Sequence, residues 1–258
     1  IAGANPSISE FLVDARHVID VFSDSTPFRE NLNKFSFYID LKQIDESKLP
    51  VISGNAYGSI DYNYYDPSVN LKLKASSCGN DAFEYIFLMN NPNIWIGFGN
   101  DEIITNSSGG VVDVYRHGLG IAYVKSLKYI SDLNMFKNIV LHETGHAIGG
   151  LNEEYFSPSS KGDLTDFGRN CSIQPEIDFW SSIDNSQNAA RGAGNKYYEG
   201  CVYNFDSSGK KYQRSTQSSV MTEVGSTQKK FDRVSCGYLM AGINGEQLTK
   251  KNAEKYWS

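Results

Sequence analysis

The segment LHETGHAIGGLNEEY (residues 141–155) contains two histidines and a glutamate with the spacing of a catalytic metal site. His142 and His146 are four residues apart, so on an α-helix both imidazoles face the same side and can bind one ion about 2 Å away. Glu143 is offset by one residue, which suits its carboxylate for exchanging a proton with a water molecule polarised by that ion. This H-E-x-x-H pattern is typical of zinc hydrolases and predicts one catalytic Zn²⁺, with Glu143 as the general base and acid.

The third protein ligand is less clear from the sequence. In the usual long form of the motif it lies six residues after the second histidine, where this chain has Asn152, an amide that binds zinc poorly. A count of three residues from the helix-ending Gly150 reaches Glu153, which is our predicted third ligand. Glu154 is the alternative, and a structural role beside the ligands suits it better. Folding could also recruit one of the two remaining histidines, His17 and His117.

Three helices are predicted around this motif. Apolar residues at steps of three and four predict an amphipathic helix over 8–22, with Ser7 as its N-cap. The motif helix spans 135–150, begins after the polar segment SDLN and ends at two glycines. A last helix over 235–245 is expected to close the domain.

The remaining pattern predicts strands and loops. We expect a strand over 34–42, a helix over 81–89 and a buried strand over 93–99. The short strands in 111–116 and 118–124 could pair as a hairpin. Residues 156–219 are polar and lack periodicity, which favours functional loops over a cleft. Together these elements predict an α+β fold with a loop-rich C-terminal half.

Composition restricts the class of partner. The net charge of −6 argues against nucleic acid, whose binding needs a basic surface. No run of 18 apolar residues is present, so the sequence predicts no membrane span. The chain starts at Ile1 without a signal-like segment, which we interpret as a mature form whose targeting segment, if any, is absent.

The four cysteines have no metal-binding spacing, because they are far apart and none forms a C-x-x-C pair. An even number suits one or two disulfides in an exported protein, although four buried thiols remain an alternative. Cys171 and Cys201 belong to the same loop-rich segment, so we favour their pairing.

Beyond the spacing itself, HETGHAIGGLNEEY resembles the extended motif H-E-x-G-H-x-x-x-G-L-x-D-E-Y of the bacterial IgA-peptidase family of metzincin-like zinc endopeptidases. The departure is Glu153, where the family usually has aspartate; it keeps the carboxylate and adds a methylene. Three other segments are similar to the family: TPFRENLNKFSFYIDL, YYEGCVYNFDSSGKKYQRSTQSSVMTE and FDRVSCGYL.

The resemblance implies a zincin/metzincin-like fold with a mixed twisted sheet, in a single catalytic domain over 1–258. The upper half would be about 1–150 and the lower half about 151–258, with the cleft between them. It also implies a structural Met-turn at Met221, under the ligands, and a secreted, periplasmic or cell-surface location in a bacterium.

The leading functional hypothesis is a zinc endopeptidase that cleaves protein or peptide substrates, which we expect to be a monomer. A phenol could stabilise the oxyanion of the tetrahedral intermediate, and the candidates are Tyr155 and Tyr212. Two alternatives share the same site residues: a zinc amidase acting on cell-wall peptides, and a non-catalytic binding module that keeps the metal for structure.

Overall fold

The structure is a computed structural model that combines helices with small sheets. It describes residues 7–39, 41, 84–89, 97–100, 104–105, 111–113, 120–130, 132–154, 159, 161–163, 169–173, 180, 198–201 and 203–257. The α-helices in these ranges are α1 (Ile8–Asp24), α2 (Leu133–Gly149), α3 (Arg233–Ile243) and α4 (Lys250–Ala253). Short 3-10 helices span Arg29–Lys34, Leu127–Tyr129 and Glu254–Tyr256.

The strands form three small sheets. In chain order they are β1 (Glu84–Met89), β2 (Gly97–Asn100), β3 (Ile104–Thr105), β4 (Val111–Asp113), β5 (Gly120–Lys125), β6 (Cys171–Ser172), β7 (Tyr198–Glu199) and β8 (Gln213–Arg214). The first sheet has the order β1-β5-β2 and is mixed, since β1 is parallel to β5 and β2 is antiparallel to it. Strands β3 and β4 form an antiparallel pair, and β6-β8-β7 form an antiparallel sheet. The predicted α+β class is therefore confirmed.

Helix α2 is the central element of the core. It packs against β5 and β2 on one side and against α1 and α3 on others. Most of its residues are buried, from Phe136 to Gly149, which is expected of a helix that carries apolar residues nearly all round. The Asp132 side chain accepts a hydrogen bond from the Met135 N–H at 2.9 Å and caps the start. Gly150, with a left-handed φ of 53°, ends the helix, as its two glycines predict.

The flanking helices also confirm the sequence analysis. Ser7 and Glu10 form a reciprocal capping box at the start of α1. Helix α3 covers most of the predicted last helix, and the short α4 follows it. Among the described residues, none of the helices has the length and apolar character needed to cross a membrane.

Three predictions about strands are wrong. Residues 84–89, predicted as a helix, form β1, because a short apolar run does not reveal its period and pairing with β5 decides the conformation. Within 34–42, Lys34 ends a 3-10 helix, and residues 35–39 pair with none of the strands that the structure describes. Instead, the ring centroids of Phe35 and Phe37 each lie 5.4 Å from that of Phe22. Strands β4 and β5 do not form a hairpin, since β4 pairs with β3.

Candidate metal centre

The buried helix α2 holds the two motif histidines on one face. His142 is 4% exposed, and its ring centroid lies 4.8 Å from that of His146, one turn later. After Gly150 the chain reverses, and Glu153 returns to the same face. The Leu151 N–H donates to the Gly145 carbonyl at 3.2 Å, which fixes this reversal against the last turn of the helix.

Three side chains converge there. The His142 Nε2 and His146 Nε2 atoms are 3.2 Å apart, and each lies 3.2 Å from Glu153 Oε1. Glu153 Oε2 lies 3.1 Å from His142 Nε2. One ligand atom from each of the three residues falls within 4.8 Å of the other two, so the group could hold a metal ion.

The outer nitrogens of both rings are held by backbone carbonyls. His142 Nδ1 donates to Val220 O at 2.9 Å, and His146 Nδ1 donates to Leu151 O at 2.6 Å. Carbonyl oxygens only accept hydrogen bonds, so both Nδ1 atoms carry the proton in the neutral rings and both Nε2 atoms present lone pairs. Two lone pairs and a carboxylate then face one another, an arrangement that a cation satisfies. Two imidazoles and one carboxylate are also a usual donor set for catalytic zinc.

The electrostatics agree with a cation-seeking group. Burial lowers the pKa of His142, but the charge and hydrogen bond of Glu153, the charge of Glu143 and the Val220 carbonyl together raise that pKa to about 10. Burial opposes ionisation of Glu153, yet the two imidazoles hold its pKa well below the ordinary value. Glu153 therefore favours its ionised form and attracts positive charge to the two Nε2 atoms.

Glu143 lies next to these ligands but does not join them. Its side chain is buried, and it makes no hydrogen bond with the described residues. Burial raises its pKa to about 7, against the attraction of the two imidazoles. A carboxyl group with this pKa can take up and release a proton near neutral pH, which is what a general base and acid requires.

Glu154, the alternative ligand, points away from the cluster. It is fully buried, and its carboxylate accepts hydrogen bonds from Asn170 Nδ2 at 3.1 Å, Ser219 Oγ at 2.5 Å and Thr222 Oγ1 at 3.0 Å. Burial raises the pKa of Glu154 to about 8, while these three donors favour the ionised form. The described geometry thus assigns Glu153 to the histidines and Glu154 to the surrounding structure.

Met221 occupies a tight turn packed against α2. The turn closes through a hydrogen bond from Thr222 N–H to Ser219 O at 3.2 Å, and Met221 is fully buried. A Cβ atom on Gly145, between the two histidines, would lie 2.7 Å from Met221 Sδ and 2.9 Å from Phe231 Cε1. Glycine at 145 therefore allows this close approach, and the predicted structural role of Met221 as a packing residue agrees with its position.

The other candidates lie elsewhere. His17 stays on α1, where its Nδ1 is 3.4 Å from Asp20 Oδ2. Tyr212 packs with Cys171 and Cys201, which form the predicted disulfide with Cα atoms 6.2 Å apart. Tyr155 and His117 lie outside the described residues.

Sequence reasoning missed several residues that support the site. Asn170 bonds both backbone polar groups of Asn152, and the Arg169 guanidinium donates to the Gly150 carbonyl. Ser219 and the Val220 carbonyl come from the turn before Met221. None of these carries a motif of its own; the only signals were the disulfide cysteine next to Asn170 and the resemblance around SSVMT.

In comparisons with known proteins, no family model and no curated protein matches the chain.

Proposed function

We propose that the protein is a zinc-dependent endopeptidase with a zincin/metzincin-like catalytic domain, related to the bacterial IgA-peptidase family that its motif resembles. The observation that carries the proposal is the convergence of the His142 and His146 Nε2 atoms on the Glu153 carboxylate, with Glu143 on the same helix. Under this proposal the ligands are His142, His146 and Glu153.

A zinc ion bound by these three residues would supply Lewis acidity toward a water molecule and toward a peptide carbonyl. The residues of the chain do the rest. The two carbonyls that accept the Nδ1 protons orient the imidazoles so that each Nε2 atom faces the ion. Glu143 accepts the proton of the attacking water and delivers it to the leaving amine, and its pKa near 7 suits both steps.

The buried carboxyl of Glu143 favours catalysis over a purely structural metal site. A structural site needs closed coordination and no neighbouring base. Burial of the Glu143 carboxyl has a desolvation cost, which its raised pKa reflects. Such a group is better explained by a catalytic role than by stability.

Zinc content and casein cleavage, measured together for four proteins, test the proposal. We expect Glu153→Ala to lose zinc and activity, and Glu143→Gln to keep zinc while cleavage falls about 10²- to 10⁴-fold. Glu199→Ala is the control, since Glu199 is 60% exposed and pairs with Lys211 at 2.8 Å; it should retain both properties.

Other outcomes would replace the proposal. A wild-type protein without zinc affinity would refute the metal site. A zinc-loaded protein that cleaves only muropeptides would be an amidase. A zinc-loaded protein that cleaves neither substrate would fit a binding module.

A further inference from the structure

Glu154 directly follows the proposed ligand Glu153 and is fully buried, with a hydrogen-bonded carboxylate. Oε1 accepts from Asn170 Nδ2, and Oε2 accepts from Ser219 Oγ and Thr222 Oγ1. We call these four residues the Glu154 network. Its members come from three separate parts of the chain, so it joins segments that the sequence keeps far apart.

The backbone contacts of the two hydroxyls are compatible with their donating to Glu154. Ser219 Oγ accepts the Met221 N–H at 3.0 Å, and Thr222 Oγ1 accepts the Ser219 N–H at 3.1 Å. Each hydroxyl oxygen therefore accepts a hydrogen bond from a backbone N–H, and its own hydrogen can point toward Glu154. The carboxylate then accepts three hydrogen bonds. An amide in its place carries two N–H donors and could not accept all three.

The same network fixes the backbone groups that orient the ligands. The Glu154 N–H donates to Met221 O at 3.0 Å, which ties the ligand segment to the turn that carries Val220. The Val220 carbonyl is the acceptor for His142 Nδ1. The Asn170 side chain bonds both the N–H and the carbonyl of Asn152. Asn152 lies in the chain between Glu153 and Leu151, whose carbonyl accepts from His146 Nδ1.

We propose that Glu154 is a positioning residue for the metal centre: through Asn170, Ser219 and Thr222 it sets the relative placement of Glu153 and the two histidines. The inference rests on the proposed metal site and adds to it a residue that touches neither metal nor substrate. Groups that orient metal ligands typically affect metal affinity 10- to 100-fold when they are mutated.

Glu154→Gln is the sharpest test because it keeps the size of the side chain. The amide NH₂ must face either Asn170 Nδ2, a donor, or the two hydroxyls, whose hydrogens then lose their acceptor. Thr222→Val is a second variant that removes the hydroxyl, and with it the hydrogen bonds to Glu154 and from the Ser219 N–H, while leaving the carboxyl group of Glu154 in place. It separates the network from the long-range effect of a lost carboxylate and remains available if Glu154→Gln does not fold.

Asp14→Asn is a matched control away from the ligands. Asp14 is 4% exposed and accepts from Ser126 Oγ at 2.6 Å and the Leu127 N–H at 3.3 Å. Its replacement also removes a buried carboxylate, and it should lower the melting temperature of the metal-free protein without changing zinc affinity. It therefore shows how much of any effect is a general loss of stability.

The experiment measures zinc affinity by competition with a chelator, the melting temperature of each metal-free protein, and the visible spectrum of the Co²⁺-substituted proteins. We expect Glu154→Gln to bind zinc about 10- to 100-fold more weakly than wild type and to alter the Co²⁺ spectrum. Thr222→Val should weaken zinc binding several-fold, in the same direction. Asp14→Asn should match wild type in zinc affinity and spectrum.

Three results would overturn the inference. If wild type binds zinc and both network variants bind it equally well, the proposed metal site survives and the positioning role of Glu154 is refuted. If Glu154→Gln weakens binding while Thr222→Val and the Co²⁺ spectrum do not change, the effect comes from loss of the carboxyl group itself and not from the network. If wild type itself binds no zinc, the metal site and the inference fail together.

Discussion

Replacement of Gly145 by alanine tests the packing beneath the two histidines. In an exposed helix this change would raise the free energy of unfolding by about 1 kcal/mol, because alanine has the higher helix propensity. Here the new Cβ atom would lie 2.7 Å from Met221 Sδ and 2.9 Å from Phe231 Cε1. Ordinary carbon contacts are about 3.5 to 4.0 Å, so both neighbours must move by roughly 1 Å.

The cost of that movement outweighs the propensity gain. Overpacking of a core typically costs about 1 to 3 kcal/mol. Met221 can bend its side chain, but hydrogen bonds to Ser219 and Glu154 hold its backbone, and the Phe231 ring is rigid. We therefore expect Gly145→Ala to lower the free energy of unfolding by up to about 2 kcal/mol, the overpacking cost reduced by the helix-propensity gain.

A double-mutant cycle with Met221→Ala isolates the contact. Met221→Ala alone should cost about 2 to 5 kcal/mol, because it leaves a cavity. In the double variant the alanine at 145 no longer clashes with Met221 and keeps the close contact only with Phe231, since Leu151 Cδ1 is 3.4 Å away. The costs of the two single variants should therefore sum to at least about 1 kcal/mol more than the loss measured for the double variant. Urea denaturation of the four metal-free proteins provides the values. A Gly145→Ala protein that is more stable than wild type, or a cycle with no coupling, would refute this packing.

Three further predictions follow from the same contacts. Zinc binding to the metal-free protein at pH 7 should release about one proton, because His142, with its pKa of about 10, must lose a proton to bind the ion. Calorimetry in buffers of different ionisation enthalpy would detect the released proton, and zinc binding without proton release would contradict the prediction. Replacing both Cys171 and Cys201 by serine should lower the free energy of unfolding by about 3 to 4 kcal/mol, since the disulfide closes a loop with a sequence separation of 30. A urea midpoint equal to that of wild type would argue against the disulfide. Asn138→Ala should lower the free energy of unfolding by about 1 to 3 kcal/mol. Asn138 Nδ2 donates to Gly225 O at 2.6 Å and to Thr227 O at 2.7 Å, and its Oδ1 accepts from the Lys229 N–H. Thermal unfolding would measure the loss of stability, and zinc affinity should stay at the wild-type value.

The sequence predicted those parts of the structure whose causes are local. Helix α2 was predicted over 135–150, after the polar segment SDLN and up to its two glycines; it begins two residues earlier, at Leu133, and ends at the glycines as expected. His142, His146 and Glu153 lie within 12 residues, so counting along one helix and one reversal was enough to place them together. The disulfide followed from the same kind of argument, because both cysteines belong to one loop-rich region.

Features that depend on distant partners were not predictable in this way. Strand β1 is a strand because β5 lies beside it, and the apolar run EYIFLM suits either conformation. The aromatic segment after Lys34 has strand-like residues, but its phenylalanines pack against Phe22 and Phe28. Asn170 and Ser219 reach Glu154 from 16 and 65 residues away, and no local pattern identifies such contacts.

Local sequence and distant contacts together bring Glu153, and not Asn152, to the two histidines. Gly150 ends the helix in a left-handed conformation, and the Leu151 carbonyl is used by His146 Nδ1. The Asn152 N–H and carbonyl both bond the side chain of Asn170, so the backbone at this residue is fixed from outside the motif. Glu153 then meets the two imidazoles, and Glu154 enters the network on the opposite side. The motif therefore specifies which atoms can bind an ion, while Asn170 and the Met221 turn specify which of two adjacent carboxylates is presented to it.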